Sequence, residues 1–478
     1  MLPGTGNHSE SEVEMLNERY VRREGRRLVL SALLMAASGS LSACDGLLDV
    51  EVPGDMTEAE LFNPEMAETM VVSAIADFEC GFSNYTVAAF GFEDGGLSVG
   101  GLWREPTWYT DNRPPTGACG GTDSNRAWYR ELQKSRHMSE TAYDLLAGWG
   151  ADEVSDRERL MATAATYAGL FYQYTGETFC EFAPAAGPLL SPEEMLQQGE
   201  RWFDRAIAHL DSSGDFAFVG TESMRQLAHL GRARVRFALG DDAGAAVDAA
   251  EVQPGFVAWA TRDGSVSSRW NGPHWHLTVN SWWSIAGPTR YPDVNGEIVT
   301  PGWRDLTISA DGRPTVDDGT PDPRVPVFLI DGIGAGAGPQ YNQSKYSSFG
   351  DDHHLAKYAE AQFILAEIEG GQAAVDRINA LRDEHGIAPY QAGTSFEEIR
   401  ALIIEERRRE FFLEGRHFPD KLRYDLWFPR GTGRNQFGFA FGISTCLLMS
   451  QGDYENNPNI PQGYLGPNQA TFVWPVQR

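Results

Sequence analysis

Four patterns in this 478-residue chain carry residue types that can do chemistry, and each needs a particular element around it. Gly96-Leu-Ser-Val-Gly100 is a literal G-x-S-x-G. A nucleophile elbow puts that serine on a tight turn between a strand and a helix. Here Gly101-Leu-Trp-Arg-Glu-Pro106 follows, which cannot open a helix in register. Gly332-Ile-Gly-Ala-Gly-Ala-Gly338 comes after the apolar run Val325–Ile330 and mimics a dinucleotide fingerprint. That fingerprint works because a helix N-terminus holds the pyrophosphate. Pro339-Gln-Tyr-Asn342 comes next, with no βαβ unit around it, so the segment reads as a loop. His274-Trp-His276 and His353-His354 are too sparse for a metal site without further ligands, and they are expected to face solvent. Glu406, Glu410 and Glu414 recur every four residues beside Arg407 and Arg416. On a helix that spacing gives helix-end and interhelix ion pairs that hold a scaffold, rather than a catalytic pair. No catalytic residue, cofactor or metal is expected.

Aromatic residues give the better signal. Trp103, Trp108 and Tyr109 lie in one polar, proline-containing loop; Trp270, Trp275, Trp282, Trp283 and Tyr291 lie in a second irregular stretch. A sugar ring presents an apolar face that stacks on such a ring, while its hydroxyls need polar neighbours. Asn112, Arg113, Arg269, Asn271 and Asn280 are neighbours of that kind in sequence. These eight aromatics are the ligand-binding candidates.

Rigid elements must position those loops, and the patterning between them is helical. Asp123–Leu146 and Ser155–Tyr174 carry long helical patterns. Ser191-Pro-Glu-Glu194 is a capping box that opens a helix with Met195, Leu196, Trp202, Phe203, Ala206, Ile207 and Leu210 on one stripe. Ser223–Leu239 and Gly244–Ala250 flank a Gly240-Asp-Asp turn, and Leu355–Ile368 and Ala373–Glu384 flank Gly370-Gly371. Helix, glycine-marked turn, helix is a recurring unit similar to tetratricopeptide hairpins, which bury their apolar faces by stacking. The expected fold is mostly α: tetratricopeptide-like helical hairpins forming a scaffold, with a loop-rich insertion containing short β-strands. The expected segments are an N-terminal helix and aromatic loop over 44–122, helical pairs over 123–252, the insertion over 253–352, further helical pairs over 353–416, and a loop-rich C-terminal segment over 417–478. Loop character is expected to begin at Gly81 in the first of these.

Residues 1–43 read as an export signal. Arg22, Arg23, Arg26 and Arg27 precede the apolar run Leu28–Ala37, too short to span a bilayer, and Leu41-Ser42-Ala43-Cys44 ends it. That ending resembles a bacterial lipobox, in which the cysteine becomes the first residue and carries a diacylglycerol and a further acyl chain such as palmitate. Cys44 is therefore the expected lipid attachment, anchoring the chain to a membrane without spanning it. Cys80, Cys119, Cys180 and Cys446 remain, enough for two disulfides in an oxidising compartment. Cys119 just before one helix and Cys180 just after its antiparallel partner are the first expected pair, with Cys80 competing for either and Cys446 left for the remainder. Net charge is -28. Residues 1–43 hold five Arg and five Glu, so the whole excess sits in the remaining chain. Such a surface repels phosphate backbones, and no nucleic-acid partner is expected. A hydrophobic content of 42% excludes wholesale disorder.

Several motifs together resemble the SusD/RagB family of outer-membrane lipoproteins. Cys44-Asp-Gly-Leu-Leu-Asp-Val-Glu-Val-Pro53 is similar to the family's "C…LD…P" opening, and Asp318-Gly-Thr-Pro-Asp-Pro-Arg324 to its "DPR" stretch. Lys357-Tyr-Ala-Glu-Ala-Gln-Phe-Ile-Leu-Ala-Glu367 resembles its "R-x-AE-x-LL-x-AEA" helix, and Ile378-Asn-Ala-Leu-Arg382 its "LN-x-IR". Glu405-Glu-Arg-Arg-Arg-Glu-Phe-Phe-Leu-Glu-Gly-Arg416 matches "ERR-x-E-x-x-x-EG-R" nearly position for position, whereas Lys421-Leu-Arg-Tyr-Asp425 follows "DLRRW" only loosely. The resemblance implies a surface-exposed, lipid-anchored protein of the outer membrane. It would capture glycans, or in some members peptides, and cap a SusC/RagA-like TonB-dependent transporter as its partner. It also implies ligand contacts from loops after the first helix and from the mid-chain insertion. A lipid-anchored glycoside hydrolase or esterase is the competing expectation.

Overall fold

The computed structural model describes residues 61–92, 96–98, 128–279, 283–285, 291–292, 298–299, 321–333, 339–426 and 445–467. The export signal, Cys44, Trp103, Trp108, Tyr109, Cys119, Trp282 and the glycine run 334–338 lie outside the described residues; Trp283 and Tyr291 are described in backbone only. The chain divides into units 1–61 and 62–478, and every element named here belongs to the second.

The helices are α1 (Ala67–Phe92), α2 (Trp128–Gly148), α3 (Arg157–Thr178), α4 (Pro192–Ser213), α5 (Met224–Leu239), α6 (Asp242–Ala250), α7 (Tyr358–Glu369), α8 (Gly371–Glu384), α9 (Phe396–Glu410), α10 (His417–Arg423) and α11 (Gln451–Asn456). Each of α1 to α9 packs on the next in sequence, and α10 returns to pack on α1 and α3. The fold is therefore mostly α, built of stacked helical hairpins with nearest-neighbour contacts of the tetratricopeptide kind. The caps behave as the sequence requires: Ser191 and Ser395 close capping boxes with Glu194 and Glu398, and Gly240 ends α5 in the left-handed region at φ 84°.

Helix α3 is the centre of the scaffold, buried at every residue from Leu160 to Thr178. Polar side chains on an all-buried helix need internal partners. Its threonines solve this by bonding back one turn: Thr166 Oγ1 donates to Ala162 O at 2.8 Å and Thr175 Oγ1 to Phe171 O at 2.8 Å. Phe78, Phe82 and Tyr85 of α1 lie edge-on or tilted against Tyr167 and Tyr174 of α3, forming one aromatic layer.

The insertion holds the strands. β1 (Gly96–Ser98), β3 (Trp283–Ile285), β7 (Pro339–Gln343) and β6 (Val327–Ile333) form an antiparallel sheet in that order; β2 (Val257–Ala260) pairs with β8 (His353–Lys357), and β4 (Tyr291–Pro292) with β5 (Ile298–Val299).

Four expectations are corrected. α1 does not stop at Gly81 but runs on to Phe92. Gly81 is there for close approach, since a Cβ would sit 2.9 Å from the Leu132 side chain of α2. Residues 355–357 are strand, not helix, because β2 supplies a ladder partner and α7 starts only at Tyr358. Helix α9 ends at Glu410, so the step to Glu414 is not helical; Leu413 adopts φ 58° in the turn. The expected Cys119–Cys180 pair does not form. Cys180 is bonded to Cys446, with Cα atoms 5.2 Å apart. Phe179 and Leu447 pair as parallel backbone, through Cys180 N to Leu447 O and Leu447 N to Thr178 O, both at 2.9 Å, and this delivers Cys446 to the end of α3. Cys80, within α1, is also disulfide-bonded, to a partner outside the described residues.

Candidate functional site

Two of the expected aromatics come together. Trp270 lies on the loop after β2, and Trp275 on a short π-helical turn, His274–Val279. Their ring centroids are 5.2 Å apart. Phe349, from the turn before β8, stacks on Trp270 at 4.3 Å and lies 6.0 Å from Trp275, and His274 meets its edge at 5.0 Å. Trp270, Trp275 and Phe349 are all half-buried. The result is a partly exposed platform of three rings, fixed by contacts beneath it.

Those contacts start at α1. Glu79, almost wholly buried, accepts from Thr261 N at 2.8 Å, Thr261 Oγ1 at 2.9 Å and Arg269 Nη2 at 3.2 Å, with Arg262 Nη2 at 3.7 Å. Burial raises the Glu79 carboxyl above its ordinary range despite these partners, and burial also pulls Arg262 down to about 10. One turn on, Ser83 Oγ accepts from Gly272 N at 2.9 Å and lies 3.0 Å from His353 Nε2. A Cβ on Gly272 would be 2.7 Å from Ser83 O, so only glycine lets this loop lie on α1. The two loops bearing the rings are joined directly: Asn271 N donates to Phe349 O at 2.8 Å, and Asn271 Nδ2 to Asp351 O at 2.7 Å.

Arg269 and Asn271, expected as polar neighbours of a sugar, are thus absorbed into the support. The histidines are corrected too. His274, His276 and His353 are buried, not solvent-facing, and His354 is partly covered beneath Trp259, 4.4 Å from its ring. Burial drives His276 down to about 3 and His353 well below its ordinary value, so both are neutral imidazoles. Among the described residues no cluster of His, Cys, Asp and Glu is arranged to hold a metal. Trp283 and Tyr291 are placed only by backbone: β3 begins at Trp283, which pairs with Ser98 of β1. Ser98, the serine of the G-x-S-x-G, is therefore a strand residue. Phe349 and Trp259 escaped sequence reasoning. Phe349 had one signal, an isolated ring in the polar turn Ser347-Ser-Phe-Gly-Asp-Asp352.

The conspicuous acidic and basic motif has a different role. Glu406 accepts from Arg324 at 2.6 Å and from Arg382 at 2.5 Å; Arg407 pairs with Asp420 at 2.8 Å; Arg409 reaches Asp322 at 3.2 Å; Arg416 binds Glu177 of α3 at 2.8 Å. These side chains are buried; they link α9 to α8, α10 and the turn at 322–324, and Arg416, at the start of α10, to α3. They are the ion pairs expected of a scaffold.

Residues 355–476 match the SusD family model. Solved structures share the fold: a SusD superfamily protein from Bacteroides vulgatus has 13% identity and a TM-score of 0.59, over 84% of this chain and 100% of that one. A SusD superfamily protein from Parabacteroides distasonis has 13% identity and a TM-score of 0.58, over 86% and 100%. Surface glycan-binding protein A from Bacteroides uniformis has 14% identity and a TM-score of 0.52, over 83% and 99%. No curated protein matches the chain.

Proposed function

We propose that this chain, which belongs to the SusD/RagB family, is a non-catalytic glycan-binding lipoprotein of the outer membrane. The observation that carries the reading is the platform of Trp270, Trp275 and Phe349, braced from α1 by Glu79 and Ser83. Half-buried rings held rigid are suited to the apolar face of a sugar, because stacking then costs little further ordering. Trp103, Trp108, Tyr109, Trp282, Trp283 and Tyr291 remain proposed contributors to the same function. Lipidation at Cys44 holds the protein at the membrane, where it hands glycan to a SusC/RagA-like TonB-dependent transporter. No helix among the described residues is long and apolar enough to cross a membrane.

Affinity electrophoresis of the mature chain in gels containing soluble plant and algal polysaccharides tests the reading. At least one polysaccharide is expected to retard the wild type, and Trp270→Ala to abolish the retardation. Retardation of Trp270→Ala equal to wild type would remove the platform from the function. Release of reducing ends over time would show an enzyme instead. For the anchor, Cys44→Ser is expected to leave an uncleaved precursor or a protein free of the membrane fraction.

A further inference from the structure

A second cavity, of about 420 Å³, opens between β2, β8 and the C-terminal ends of α8 and α9. Its size falls within the range of small-ligand sites, about 300–1,000 Å³. Its floor is ionic. Lys345 Nζ donates to Glu414 Oε1 at 2.6 Å and to Phe412 O at 2.7 Å; Lys357 Nζ lies 3.0 Å from both Glu414 Oε1 and Glu410 Oε1. Its walls include Phe256, Val257 and Pro323, and Glu384 stands exposed at its mouth.

Two features of the floor select a ligand. The first is charge: Arg324, Lys345 and Lys357 in the lining match Glu384, Glu410 and Glu414, so the lining carries no net charge. A net-charged ligand would bring an uncompensated charge onto it. The second is unspent hydrogen-bonding capacity. An ammonium has three N–H groups, and Lys345 uses two of them; Glu414 Oε1 takes both lysines and lies 3.2 Å from His354 Nδ1, while Oε2 accepts from no described residue. A donor and an acceptor are thus left over side by side, on a pair already in contact. A hydroxyl, which both donates and accepts, can use the two together. Apolar walls next to this floor suit the C–H faces of the same molecule.

We propose that this cavity is a second carbohydrate site, separate from the aromatic platform, that takes the end of a short neutral oligosaccharide. The inference rests on the glycan-binding reading above and assigns it a further site.

The test uses saturation-transfer NMR on the mature chain with cellobiose, maltose, xylobiose and mannobiose, and with glucuronic acid, glucosamine and glycylglycine as charged or zwitterionic counterparts. At least one neutral disaccharide is expected to bind wild type and Trp270→Ala alike, and to bind Glu384→Trp at least about tenfold more weakly. Val257→Phe, which fills the cavity from its wall, is expected to act as Glu384→Trp does; circular dichroism confirms that both variants are folded. Equal binding to folded Glu384→Trp and Val257→Phe, preference for a charged or zwitterionic probe, or no disaccharide binding at all would overturn the cavity site. Polysaccharide retardation separates the two readings. Its presence in wild type with no disaccharide binding sinks the cavity alone, and its absence sinks the platform.

Discussion

The signature segment around α9 and the platform loops around Trp270 are built on opposite principles. Around α9, Arg324, Arg382, Glu406, Arg407, Arg409 and Arg416 are buried and engaged with partners from several elements. Around Trp270, the rings stay half open, held by the backbone and polar side chains beneath them and by the bond from Trp270 Nε1 to Gly264 O at 3.0 Å. Buried pairs tolerate almost no change, because removing one partner strands the other charge away from water. Half-open rings tolerate replacement without collapse. The part of the sequence that is easiest to recognise is therefore scaffold, and the part proposed to meet ligand is the part that recognition does not reach.

Breaking the scaffold should have the largest effect on stability. Glu406→Ala leaves Arg324 and Arg382 facing a lost carboxylate and should cost roughly 3–5 kcal/mol in urea unfolding. Glycan affinity per folded molecule should be unchanged; a loss of affinity in folded protein would erase the contrast between the regions. Cys446→Ser opens a link across 266 residues and should cost about 2–5 kcal/mol, read by the same unfolding curves. A smaller effect is expected beneath the platform. His276 is buried and neutral, with a folded pKa about 3 against an ordinary 6.5, so the unfolded chain takes up the proton first. Its contribution is complete above pH 6.5 and is lost as pH falls toward 3. Between 6.5 and roughly pH 4.5 the loss should reach about 2 kcal/mol, and His276→Leu should flatten the stability profile by that amount. An identical slope in the variant would show that His276 does not carry it. Trp270→Ala should have the smallest stability effect, about 1 kcal/mol in thermal or urea unfolding, while removing polysaccharide retardation. A large destabilisation there would make Trp270 another scaffold residue.

Much of the scaffold was legible because its signals are local. Ser191 and Gly240 dictate helix ends from within a few residues, and apolar spacing over 192–213 marks the face that α4 buries. What could not be read depends on long-range partners. Leu355-Ala-Lys357 becomes strand only because Val257–Ala260 lies beside it. Cys180 meets Cys446 only because backbone pairing after α3 brings Leu447 there. Of the platform, the choice of Trp270 and Trp275 was visible as aromatics in a polar stretch. Phe349 was not, nor was the conversion of Arg269, Asn271 and the histidines into support, because partners such as Glu79 for Arg269, Asp351 for Asn271 and Ser83 for His353 lie far away in sequence.

The Cys180–Cys446 bond also sets the path of mechanical force. Tension applied between α2 and the C-terminal segment travels along α2 and α3 to Cys180, crosses the sulfur bridge to Cys446, and leaves through the C-terminal segment. The intervening stretch, with the platform and the insertion, carries none of that load while the bond is intact. Reduction would put that stretch into the load path, with roughly 900 Å of additional contour available once it unfolds to a fully extended chain.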